Sequence, residues 1–150
     1  MGGPPRDSML RLIRRSLSSR RRRHAIARIT PEWAQARASA GASLLDDESP
    51  GWALRVNPDS LELGDGQACV LGQLHGDYRR GLFRSRIVSA SSAPVRFASP
   101  VDLGFQASSE GGSESERLDY AFLTRAWREE IAQRAMAAPL AEAASPRQLA

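Results

Sequence analysis

The segment Ser113-Glu114-Ser115-Glu116 constrains the fold more than any other stretch of the chain. A serine three positions before a glutamate is a capping box, in which each side chain satisfies a backbone N–H left unpaired in the first helical turn. Behind it, Tyr120, Leu123, Trp127 and Ile131 recur at helical spacing. Arg125 with Glu129, and Glu130 with Arg134, fall four apart on the wet side. The spacing predicts an amphipathic helix from Ser113 to about Met136, ended by Pro139.

A second helix start lies at Thr30-Pro31-Glu32, which offers an N-cap hydroxyl, a proline at the first helical position and an acid in the first turn. It predicts a helix to about Leu45, with Trp33, Ala36, Ala40 and Leu44 as its buried stripe. Gly41 weakens that helix by about 1 kcal/mol relative to alanine, or marks a close helix contact. Ser49-Pro50-Gly51 reads as a turn and Trp52–Val56 as a short element, and Asn57-Pro58 opens a one-turn helix through Leu61 and Leu63. Cys69 to Tyr78 reads as one buried helix despite Gly72 and Gly76. Phe83, Ile87, Val88, Val95 and Phe97 suggest a short hairpin whose loop is Ala90 to Pro94.

The charge is divided unevenly along the chain. Residues 1–30 hold nine arginines against Asp7, a net +8, whereas residues 31–150 are at −4. Every basic residue is arginine, as expected of coding from a GC-rich genome. Within Arg6 to Ile29, Met9, Leu12, Ile13 and Leu17 keep helical spacing, and Ser16, Ser18 and Ser19 interrupt. One or two short basic helices that depend on a partner are expected there. The expected fold is therefore mainly α: a small helical domain with a short β-hairpin and an Arg-rich N-terminal extension. Its divisions are a basic extension over 1–29, partly helical or disordered, a compact mostly helical domain over 30–137, and a disordered tail over 138–150.

No stretch carries a recognisable catalytic pattern. Cys69, His75 and Asp77 are the one triad-like set, but residues six apart on a helix sit about 240° around its axis, too far for Cys69 and His75 to touch. A single cysteine excludes an intrachain disulfide and a cysteine-based zinc site. Asp46, Asp47, Glu48 and His75 lack metal-ligand spacing, and Gly64, Gly66 and Gly72 lack phosphate-loop context. No catalytic residue, cofactor or metal is expected. No apolar run reaches the roughly 18–20 residues of a membrane span. The leader lacks the apolar core of a secretory signal, although its Arg- and Ser-rich composition resembles an organelle transit peptide.

Two surfaces stand out as interaction candidates. Arg14, Arg15, Arg20, Arg21, Arg22 and Arg23 offer guanidinium groups that neutralise phosphates without reading sequence. Such a tract also reads as a solvated extension, or as a leader translated from a start placed too far upstream. Trp52, following Pro50-Gly51 and close to Asp46 and Asp47, is expected to be partly exposed and to act as an interface hot spot.

The stretch Gly41 to Asp46, Pro50-Gly51-Trp52, Cys69-Val70-Leu71-Gly72-Gln73-Leu74 with Gly76 and Tyr78, Gly104-Phe105 and Leu123 to Arg128 resemble a group of small actinobacterial and actinophage proteins. The resemblance covers roughly Thr30 to Arg134 and leaves out the Arg-rich leader. Val56-Asn57-Pro58-Asp59 departs from it where the group tends to carry an Ile-Asp pair. It implies a bacterial or phage cytoplasmic protein and no particular activity. The expectation is a small non-enzymatic protein of mobile-element origin that binds a protein partner. The alternative is a nucleic-acid accessory protein working through its Arg-rich segment.

Overall fold

The computed structural model describes residues 6–89 and 98–144. In chain order the elements are α1 (Arg6–Arg28), α2 (Pro31–Glu48), a 3-10 turn (Trp52–Arg55), α3 (Val70–His75), α4 (Tyr78–Arg84) and α5 (Ser113–Ala144). The chain is mainly helical, and no strand occurs among the described residues.

Helices α2 and α5 pack against each other at the centre. Thr30 caps α2 as expected, its hydroxyl accepting from the Trp33 N–H at 3.1 Å, and Ser49 closes the helix. The buried face of α2 differs from the expected one. It consists of Ala34, Arg37, Ala38, Gly41, Ala42, Leu44 and Leu45, while Ala36 and Ala40 are exposed and Trp33 is half-buried. A helix this rich in alanine gives the hydropathy pattern little contrast between faces. The buried face is the one that carries Gly41, which meets Trp127 of α5.

Gly41 marks the closest point of that contact. A Cβ there would overlap the Leu103 carbonyl oxygen and lie 2.8 Å from the Trp127 ring. Replacing glycine with alanine inside an exposed helix gains about 1 kcal/mol. Here overpacking reverses the sign, and Gly41→Ala is expected to lower stability by about 1–3 kcal/mol. Urea unfolding with an unchanged slope checks this, and a variant as stable as the parent would refute it.

The 3-10 turn brings Trp52 edge-on to Trp127, with ring centroids 5.6 Å apart and planes at 82°. Phe105 lies 5.1 Å from the same ring, and the Trp127 indole N–H donates to the Gly104 carbonyl at 2.6 Å. Leu45, Leu61, Val70, Leu71, Ile87 and Leu123 complete the core.

Four local expectations are corrected. Asn57-Pro58 opens a turn and no helix, because the Asn57 side chain accepts from the Asp59 N–H at 2.9 Å and the Leu63 N–H donates to the Thr124 hydroxyl on α5. Leu61 and Leu63 are nevertheless buried. Cys69 to Tyr78 is split in two: Gly76, at φ +94, ends α3, and Asp77 caps α4 by accepting from the Arg80 N–H at 2.8 Å. The hairpin is not seen among the described residues. Phe83 belongs to α4 and Ile87 follows a turn at Arg86 with φ +57, while its loop and the arm with Val95 and Phe97 lie outside the described residues. Pro139 lies inside α5, which runs on to Ala144 through alanines of high helix propensity. Residues 145–150 of the expected disordered tail lie outside the described residues.

Candidate functional site

The Arg-rich segment forms one continuous helix, α1. Its serines do not interrupt it. The Ser18 and Ser19 hydroxyls donate to the carbonyls of Arg15 and Ser16 at 3.0 and 2.9 Å, which satisfies them within the helix. The last turns hold it to the body. Ala25 and Ile29 are buried, the Arg22 Nε donates to the Gly111 carbonyl at 3.0 Å, and the Arg28 guanidinium lies 5.1 Å from the Trp33 ring centre. N-terminal to that contact the described side chains are mostly exposed.

The six arginines expected to meet phosphates therefore separate. Arg22 is drawn to the body through Gly111. Arg14, Arg15, Arg20, Arg21 and Arg23 are exposed and form no ion pair among the described residues, and Arg11 is in the same state. Unlike charges at the α2–α5 contact, they have no acidic partner among the described residues. Met9, Leu10, Leu12, Ile13 and Leu17 on the same helix are 49–65 % exposed.

The Trp52 candidate is overturned. Its ring is 1 % exposed, and its indole N–H donates to Asp46 at 2.8 Å. Asp46 in turn receives a bidentate contact from Arg134 of α5, with distances of 2.8 Å from both Nε and the second guanidinium nitrogen, and Arg134 also reaches Glu130 at 2.6 Å. The Arg134 hydrogen bonds hold the Asp46 carboxyl below its ordinary range. Asp46 thus fastens α2, Trp52 and α5 together. Asp47 is exposed. A shallow depression of about 240 Å³ beside Trp52 is lined by Ala53, Leu54, Ala137 and Ala138, but its polar groups are already paired.

Cys69 acts as the N-cap of α3. It is buried, its sulfur accepts from the Gly72 N–H at 3.3 Å, and burial pushes its thiol above the ordinary value. Burial, with Arg84 and Arg55 nearby, lowers the His75 pKa. No group of three acidic, histidine or cysteine side chains suited to a metal ion occurs among the described residues.

One surface escaped the sequence reading. Helix α4 exposes Arg79, Arg80, Phe83 and Arg84, which at about 100° per residue share one face. Arg80 has an acidic neighbour, Asp77 at 3.6 Å. The signal was the spacing of these arginines around Phe83, obscured by reading Phe83 as part of a strand.

No protein-family model, curated protein or solved structure matches the chain.

Proposed function

We propose that the chain is a small non-enzymatic docking protein that attaches to a polyanionic surface through α1. The observation that carries this reading is the set of exposed arginines without acidic partners among the described residues, on a helix whose last turns hold it to the body. A helix of this length spans roughly 33 Å, enough to place several guanidinium groups against a charged surface at once. The interaction role expected of Trp52 passes to α1, since Trp52 is buried. The bacterial or phage cytoplasmic setting suggested by the Pro50-Gly51-Trp52 and Cys69 to Leu74 motifs belongs to this proposal.

Retention on immobilised heparin tests it. The full chain is expected to elute at high salt. The variant R14Q/R15Q/R20Q/R21Q/R23Q, which leaves the Arg22 contact in place, is expected to elute at clearly lower salt. Equal elution of the two overturns the reading.

Nucleic acid is the second reading, favoured by Arg20, Arg21 and Arg23, which are exposed, form no ion pair among the described residues, and lie beyond the Met9 to Leu17 apolar residues of α1. Binding of a single-stranded oligonucleotide across a salt series is then expected to lose roughly 0.7 of logarithmic slope for each arginine contact removed. An unchanged slope in the five-arginine variant removes this reading.

A further inference from the structure

The polyanion is narrowed by what α1 carries besides charge. At about 100° per residue, Met9, Leu10, Leu12, Ile13 and Leu17 fall within an arc of about 160° on α1, with Arg11, Arg14 and Arg15 opposite. All five are exposed, and together they form an apolar ridge on the helix. Arg22, Ala25 and Ile29, which face the body, lie on the other side of the helix from that ridge. The ridge therefore points outward from the folded domain, with no described segment covering it.

We infer that α1 lies on an anionic lipid surface, with the apolar ridge buried at the headgroup boundary and the arginines among lipid phosphates; this rests on the docking role proposed for α1. Three observations favour that occupant. A second copy of α1 would bring a like charge against a helix with nine arginines and one acid. Nucleic-acid phosphates account for the arginines and leave the five apolar side chains in water. With Arg22 held by the body, Arg20, Arg21 and Arg23 fan over about 160° of the helix. A single charged wall of a protein groove meets only some of them, whereas a headgroup layer surrounds a helix lying within it. The helix lies along such a surface and does not cross it, because no described helix is long and apolar enough to span a bilayer.

Co-sedimentation of the full chain with vesicles tests the assignment. Binding is expected to vesicles of phosphatidylcholine mixed with phosphatidylglycerol, and not to phosphatidylcholine alone. The variant L12Q/I13Q/L17Q keeps every charge and good helix formers, and helicity by circular dichroism verifies that it folds. It is expected to bind the mixed vesicles at least about tenfold more weakly. Equal binding by the variant overturns the inference. So does heparin retention of the full chain without vesicle binding, which leaves the docking role standing and removes the lipid. Displacement from vesicles by an equal phosphate concentration of single-stranded RNA also overturns it, in favour of nucleic acid. Failure on heparin and on vesicles alike overturns both readings.

Discussion

Replacing Asp119 with alanine is expected to destabilise the protein by about 3–5 kcal/mol, the cost of breaking a buried ion pair from one side. Asp119 on α5 is fully buried and its partner Arg37 on α2 is 4 % exposed. The carboxylate receives the Arg37 guanidinium on one oxygen and the Ser108 N–H on the other, the latter at 2.9 Å. Arg37 also donates to the Val101 carbonyl at 3.3 Å, and its guanidinium stacks 3.6 Å over Trp33. Burial pulls the Arg37 pKa below its ordinary value and Asp119 counters that pull. Alanine at 119 removes the countercharge, leaves a desolvated guanidinium and orphans the Ser108 N–H. The double variant R37M/D119L removes both charges and is expected to recover much of the loss, because no unpaired ion remains. Urea midpoints measure both. A cost below about 1 kcal/mol for Asp119→Ala would place the pair among solvent-screened surface contacts and refute the assignment.

The same pair shows where the sequence was legible and where it was not. The start of α2 depends on residues three apart, so Thr30-Pro31-Glu32 announces it locally; α5 does begin at Ser113, but its expected capping box is not formed, because the Glu116 N–H donates to the Gly112 carbonyl. Arg37 reads as a wet-face residue because the partner that allows its burial lies 82 positions away. Trp52 was misjudged for a related reason. Asp46 looked like an acidic rim beside an exposed indole, yet Asp46 accepts from that indole and from Arg134, which is 88 positions distant from Asp46. The apolar spacing along α1 is readable, but Ser16, Ser18 and Ser19 read as breaks, since sequence alone does not show hydroxyls bonding back to carbonyls of their own helix. Phe83 lacked strand alternation around it, and Asp77 as a cap was the overlooked sign that a new helix begins there.

Trp127→Ala is expected to cost about 3–5 kcal/mol, the range for deleting a large buried aromatic. Trp127 is fully buried and joins three parts of the fold: α2 at Gly41, the 3-10 turn at Trp52 and the 98–112 segment at Phe105 and Gly104. Its surroundings are poorly able to collapse into the space. Gly41 offers no side chain, and Trp52 is tethered to Asp46 through its indole N–H. The cavity term should therefore persist, and the Gly104 carbonyl loses its donor as well. Trp127→Phe separates these contributions. Phenylalanine fills most of the volume and keeps an edge for the Trp52 contact, so its cost is expected to fall to about 1–3 kcal/mol, dominated by the unsatisfied carbonyl. If Trp127→Phe costs as much as Trp127→Ala, the hydrogen bond to Gly104 outweighs the packing. If Trp127→Ala costs under about 1 kcal/mol, this ring is not the centre of the core, and the α2–α5 contact must rest on Asp119 with Arg37 and on Asp46 with Arg134.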